Sequence, residues 1–206
     1  MRTLVIDSAT EACSIALFDG QALVAGDYKV IGRGHAEQLV PMIAELPAKG
    51  LADRIVVSLG PGSFTGVRIG LAAARALGLA WQAEVLGYPT LALVAAIARE
   101  TQPGPVTVCM TGGHGEWFVQ DFTAAGMPEG KALSLSPEDA AMRRHHRLIA
   151  GSKAGELAAL ARTEQVALDL LPDARQFPHL PEALFSADLA PLYGRAPDAR
   201  LPAGAA

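Results

Sequence analysis

An α/β chain of two successive βββαβα-type subdomains is the fold class this sequence predicts. Short β-branched runs alternate with longer helical stretches through the first half, the pattern of strands and helices packed in layers. Gln102-Pro103-Gly104-Pro105 then halts the pattern, since two prolines and a glycine cannot continue a helix, and a similar alternation restarts beyond it. Within the first half, Arg54-Ile55-Val56-Val57-Ser58 runs through Gly60-Pro61-Gly62 into a long apolar stretch, which reads as strand, glycine turn and helix.

Taken in order, Thr3–Asp7 is a first strand and Cys13–Phe18 a second. Asp19-Gly20 is the dipeptide of a tight hairpin turn, so Ala22–Val30 is the third strand. A helix from about Gly34 to Leu46 puts Leu39, Met42, Ile43 and Leu46 on one face, and Pro41 should kink it or move its start. Arg54–Ser58 is the fourth strand, Thr65–Ala80 a second helix capped by the hydroxyl of Ser63 or Thr65, and Glu84–Tyr88 the fifth strand. Pro89-Thr90 leads into a third helix through Glu100. The order βββαβαβα is the ribonuclease-H-like unit of the actin and sugar-kinase folds.

In the second half Val106–Thr111 and Glu116–Thr123 form a hairpin around Gly112-Gly113-His114-Gly115, with Lys131–Leu135 as a third strand. Ser136-Pro137-Glu138-Asp139 is a capping box with proline at the first helical position, so a short helix follows. Arg147–Ala150, Ala154–Arg162 and Val166–Leu170 read as strand, helix and strand. The two halves repeat in element order, not in residue identity. The expected division is residues 1–102, residues 103–196, and a tail of residues 197–206, rich in Pro, Gly and Ala, that should fray.

With 206 residues, 50% of them apolar, the chain can build one good core or two small ones. A net charge of −4 argues against a dedicated nucleic-acid grip, which needs a basic face, so RNA would be held mainly by a partner. Cys13 and Cys109 each sit in an apolar run and read as buried thiols of a reducing cytosol rather than a disulfide. No leader is visible and no apolar stretch is long enough to span a bilayer uninterrupted, which points to a cytoplasmic protein without a membrane.

Between Gly62 and Gln82 the only charged residues are Arg68 and Arg75, which share one stripe of the helix with Ala72 and Ala76. Gly66, Gly70, Ala74 and Gly78 form a second row of small residues that would let another backbone approach. A helix apolar nearly all round is buried, in its own core or in a partner; the plain alternative makes it the central helix of the domain. The glycine turn does not read as a phosphate loop. Neither Gly60 nor Gly62 begins a Walker run, no lysine lies nearby, and Thr65 occupies the third-glycine slot of the dinucleotide pattern.

Gly60-Pro61-Gly62-Ser63-Phe64-Thr65-Gly66-Val67-Arg68-Ile69-Gly70 resembles the TsaB (YeaZ) family, as do Asp7-Ser8-Ala9-Thr10-Glu11-Ala12-Cys13-Ser14 upstream and Gly32-Arg33-Gly34-His35-Ala36-Glu37-Gln38-Leu39 between. The likeness is clearest over residues 1–97, with a later trace at Pro191-Leu192-Tyr193-Gly194-Arg195. It implies an actin-like (ASKHA) fold and a non-catalytic scaffold with no cofactor or metal of its own. It also implies partners: the catalytic paralogue TsaD and the ATPase TsaE, with which the family makes threonylcarbamoyladenosine next to the anticodon of tRNAs. The tRNA would be reached indirectly, through the complex. The motif positions are Asp7, His35, Glu37, Gly60, Gly62, Ser63, Phe64, Thr65, Gly66, Arg68 and Gly70. In relatives the first two helices are implied to pack on their counterparts in the paralogue. The expected partner interface is therefore Leu39, Met42, Ile43, Leu46, Val67, Arg68, Leu71, Ala72, Arg75 and Ala76, with self-pairing when the partner is absent.

Asp7 closes the first strand where actin-like enzymes keep an acid for metal and phosphate, which makes it the first catalytic candidate. The matching hairpin of the second half opens on Thr111 instead of an acid, so a structural role for Asp7, bonding the Ser8–Thr10 turn, is the expectation. The rival reading is a small actin-fold phosphotransferase or ATPase using Asp7 and the Gly60–Gly66 turn. His35 invites comparison with the paralogue's metal, which sits on two histidines one helical turn apart. Position 39 is leucine, and no other histidine has a partner at that spacing, so His35 and Glu37 should cap or orient the helix start. Gly62-Ser63-Phe64-Thr65-Gly66 lacks the spacing of a hydrolase elbow. The basic run Arg143-Arg144-His145-His146-Arg147 would touch RNA phosphate in a third reading, against a solvated helix end.

Overall fold

The computed structural model describes residues 1–162 and 164–194. In its first half, β1 (Arg2–Asp7), β2 (Ala12–Asp19), β3 (Ala22–Val30), β4 (Arg54–Ser58) and β5 (Glu84–Tyr88) form one sheet in the order β3-β2-β1-β4-β5. β1 runs antiparallel to β2 and parallel to β4, and β4 runs parallel to β5. β1 and β2 are buried almost throughout, as continuous apolar strands covered on both faces must be. β3, whose side chains alternate less cleanly, is the half-exposed edge.

α1 (His35–Glu45) begins after Gly34 and passes through Pro41, so the proline does not move the helix start. α2 (Phe64–Trp81) starts where Ser63 accepts a bond from Gly66 N at 3.2 Å; Thr65, the other hydroxyl considered for this cap, lies inside the helix. α3 (Thr90–Thr101) follows β5.

The second half is β6 (Val106–Thr111), β7 (Trp117–Phe122), β8 (Leu133–Leu135), α4 (Pro137–Ala141), β9 (Leu148–Ala150), α5 (Ala154–Ala161) and β10 (Val166–Leu168). Its sheet, β8-β7-β6-β9-β10, has the same order as the first. The strand senses match as well, antiparallel for β6 with β7 and parallel for β6 with β9 and for β9 with β10. The repeat is one of topology. The capping box is made, with Ser136 Oγ accepting from Asp139 N at 3.0 Å.

α3 is the central helix. Leu91, Ala92, Leu93, Val94, Ala95 and Ala96 are all buried, in one cluster with Val5 and Val56 of the first sheet and Val106, Val108 and Leu148 of the second. The core therefore continues across the Pro103–Pro105 break in the helical pattern. α2, whose composition suggested that central place, has an open side: Arg68, Ala72, Arg75 and Ala76 are exposed. Its small-residue row faces inward, and the backbone it admits is that of the chain itself. Gly66 lies so close to Ser8 O that a Cβ there would overlap it, and one on Gly70 would come within 2.6 Å of Ser8 Oγ.

This orientation corrects most of the expected partner interface. Leu39, Met42, Ile43, Leu46, Val67 and Leu71 are buried in the first half's own core, packed with Leu4, Ile6, Ile55 and Val57. The reason is geometric: α1 and α2 lie against the same sheet, and their apolar faces are used in covering it. Of the ten, Arg68, Ala72, Arg75 and Ala76 remain on the surface.

After β10 the chain returns to the first half. Ala174 N donates to Ser14 Oγ at 3.0 Å, and Gly87 and Ser186 exchange backbone bonds of 2.8 and 3.0 Å. Both cysteines are buried free thiols, and burial pushes them up to about 11 for Cys13 and about 12 for Cys109. Among the described residues no helix is long and apolar enough to cross a membrane. The tail expected to fray and Arg195 lie outside the described residues.

Candidate functional site: the cleft between the two halves

Because both sheets carry the same topology, the carboxyl ends of β1, β4 and β6 open onto a shared crevice, the usual place for a ligand in open α/β sheets. A cavity of about 810 Å³ lies there. Ala9, Thr10 and Glu11 line it after β1, Gly62 to Phe64 with Val67 and Arg68 at the start of α2, and Thr111 to His114 after β6. Gly32, Phe118, Ser134 and the returning segment Pro191 to Gly194 complete it.

Asp7 stands below this cavity and does not line it. Its side chain is fully buried. Oδ1 accepts from Ala9 N at 3.0 Å, bonding the turn as expected, and Oδ2 accepts from the Tyr88 hydroxyl at 2.8 Å. Burial raises the carboxyl from 3.8 to about 6, against the lowering effect of the bonds from Ala9, Tyr88 and Ser58, and the Asp173 charge adds to the rise. Tyr88 in turn is held well above its usual range by the same burial and by Asp7. Sequence reasoning missed Tyr88, which at the end of a strand reads only as a β-former.

The turn is rigid by contact. Ser63 N donates to Ala9 O at 2.6 Å, so the Gly60–Gly66 turn is tied to the Asp7–Thr10 turn beneath it, with the Gly60–Pro61 peptide bond cis. Phe64 and Arg68 point outward as a pair, the guanidinium 3.5 Å from the ring centroid. Tyr193 joins them, its ring 5.9 Å from that of Phe64 and its hydroxyl accepting from Arg68 Nη2 at 3.2 Å. The Pro191–Arg195 trace in the sequence was the one signal for that contact.

His35 is buried on the first turn of α1, with Nε2 3.3 Å from Ala12 O, and so ties the helix start to β2. Gly34 at the cap receives no side-chain bond; Glu37 is exposed in the first turn, a favourable end of the helix for a carboxylate. Among the described residues no group of three or more His, Cys, Asp or Glu side chains could hold a metal ion. In the basic run, Arg143 lies 3.9 Å from Asp121 and His146 3.4 Å from Glu129, while Arg144 and Arg147 are exposed. The acids beside it leave no wide basic face there.

The family model described as TsaD, tRNA N6-adenosine threonylcarbamoyltransferase, matches residues 29–170. The TsaB protein of Escherichia coli (strain K12), described as a tRNA threonylcarbamoyladenosine biosynthesis protein, is 38% identical over 100 residues, 46% of this chain and 43% of that protein. The match thus spans less than half of that curated relative. An uncharacterized protein of Mycobacterium bovis is 30% identical over 217 residues, 96% of this chain and 93% of its own length. Among solved structures, YeaZ from Pseudomonas aeruginosa superposes with a TM-score of 0.71 at 31% identity, covering 85% of this chain and 87% of that one. The ethanolamine utilization protein EutJ from Carboxydothermus hydrogenoformans, at 11% identity and a TM-score of 0.50, shares the fold alone. With the glycine-turn motif seated against β1 as described and a YeaZ structure matched over most of both chains, this protein belongs to the TsaB/YeaZ family and has its actin-like (ASKHA) fold.

Proposed function

We propose that the chain is a non-catalytic scaffold in the cytosolic synthesis of threonylcarbamoyladenosine on tRNA, pairing with the catalytic paralogue TsaD and acting together with the ATPase TsaE. The observation that carries this reading is the state of Asp7. An actin-fold phosphotransferase needs that carboxylate open to the cleft, whereas here it is sealed in, with its two oxygens taken by Ala9 N and the Tyr88 hydroxyl. Thr111 stands at the matching position of the second half. A charged metal–phosphate centre has little to hold it between them. The interface belongs to the exposed stripe of α2, Arg68, Ala72, Arg75 and Ala76, rather than to the buried faces of α1 and α2.

The test is reconstitution. Purified chain alone should make no threonylcarbamoyladenosine, and should restore synthesis when added to TsaD, TsaE and tRNA. Threonylcarbamoyl transfer by the isolated chain, or full synthesis without it, would overturn the reading.

A further inference from the structure

The segment 186–194 touches both halves of the molecule and forms one wall of the cleft. It leaves the edge of the first sheet at the paired Gly87 and Ser186. Along α2, Arg75 Nη2 donates to Leu189 O at 3.1 Å, and Leu192 N donates to Leu59 O at 2.7 Å. It ends on the Phe64–Tyr193 ring pair and on β7, where Gly194 sits so close to Phe118 that a Cβ would overlap the ring.

Leu189 is half-buried against the core of the first half, and beyond it little of this segment is buried, for Leu192 and Tyr193 are 42% and 53% exposed. A surface segment with few apolar contacts belongs to the low end of local stability and can open without unfolding the rest. The two guanidinium groups are then a large share of what holds it. Arg68 stacks on Phe64 and donates to Tyr193, and Arg75 holds the Leu189 carbonyl. Bonds from a charged donor exceed neutral ones. Both arginines belong to the exposed stripe of α2.

We infer that residues 186–194 are a latch over the interdomain cleft, held shut by Arg68 and Arg75, so that an acidic protein surface seated on the α2 stripe opens the cleft by drawing those cations away. A carboxylate outcompetes the neutral carbonyl and phenol that the guanidinium groups now contact. The identity of such a surface rests on the proposed scaffold role; the latch does not, and it is tested without any partner.

Hydrogen exchange on the full chain, resolved at the Leu192 amide, reads the latch directly. In Arg68→Ala/Arg75→Ala that amide should exchange about tenfold faster while Val56, in the buried β4, keeps its protection. The fluorescent dye 8-anilinonaphthalene-1-sulfonate should light up as the apolar cleft is uncovered. Unchanged exchange at Leu192 would overturn the role of the cations, and equal acceleration at Val56 would show that they stabilise the whole fold instead. Ala72→Glu keeps both arginines and places a carboxylate four residues from Arg68 and three from Arg75. It should accelerate Leu192 in the same direction by a smaller factor; no acceleration would overturn the coupling between stripe and cleft.

Discussion

Tyr88, at the end of β5, donates its hydroxyl to Oδ2 of Asp7, at the end of β1, across 2.8 Å of fully buried space. The bond crosses over the end of β4, which lies between those strands in the sheet. It turns a carboxylate that could have faced the cleft into a cross-brace beneath it.

Burial of Asp7 sets a pH dependence with a definite sign, which the Tyr88 bond opposes. Asp7 titrates near 3.8 when unfolded and at about 6 in the fold, so the folded state holds its proton more tightly. Stability conferred by the protonated carboxyl is complete below roughly pH 4 and is lost as pH rises toward about 6, a loss of about 3 kcal/mol. Urea titrations of wild type and Asp7→Asn should therefore diverge over that window, with the variant free of the slope. Parallel curves from pH 3 to 8, in roughly unit steps, would refute the assignment.

Tyr88→Phe leaves the ring in place and removes the donor. It should cost about 1–3 kcal/mol, because Asp7 Oδ2 is left buried without its partner. Its pH slope should also extend upward, since the Tyr88 bond is one of the effects lowering the Asp7 carboxyl. Equilibrium denaturation at two pH values measures both.

The two faces of α2 should respond oppositely. Leu71→Ala, and Leu39→Ala on α1, should each cost about 2–5 kcal/mol of folding stability, as truncations in a packed core do. Ala76→Glu should leave circular dichroism and the unfolding midpoint near wild type, as exposed substitutions do, while abolishing association with the catalytic paralogue in sedimentation. Retained association would remove the stripe from the interface.

The Ser63 cap separates the two hydroxyls at the turn. Ser63→Ala should lose about 1 kcal/mol, whereas Thr65→Ala should change stability by no more than about 0.5 kcal/mol. Chemical denaturation of the pair decides between them.

Calorimetry with ATP and magnesium should give no saturable heat with the wild-type chain. Binding that disappears in Asp7→Ala would revive the phosphotransferase reading, with Asp7 leaving its brace to reach the ligand.

Strands and helices were legible wherever local chemistry was decisive. Ile55 to Val57 could only be a buried strand and Ser136-Pro137 a helix start, and both stand where the residues place them. The hairpin turn expected at Asp19-Gly20 falls one residue later, at Gly20-Gln21, because Asp19 still pairs with Ala22. The glycine turn and its motif were equally plain. What α2 faced was not legible, because a helix of alanine, glycine and leucine is apolar in every direction. Its small row, Val67 and Leu71 read locally as surplus surface for a partner. The sheet beneath claims them, with Gly66 fitted to Ser8 and Leu71 packed in the same core as Val57, while Leu79 stays exposed.

The sequence alone determined the βββαβα repeat and the turn at Gly60–Gly66, because periodicity and breakers act over a few residues and need no distant partner; the family was legible only through the resemblance that the Gly60–Gly70 motif carries. Tertiary structure decided the rest. Asp7 and Tyr88 lie far apart in the chain, and only the order β1-β4-β5 brings the ends of their strands within one hydrogen bond. Tyr193 reaches Phe64 and Arg68 only because the chain turns back after β10. Such pairings depend on which surfaces remain after every layer is packed, and no local pattern of residues records that.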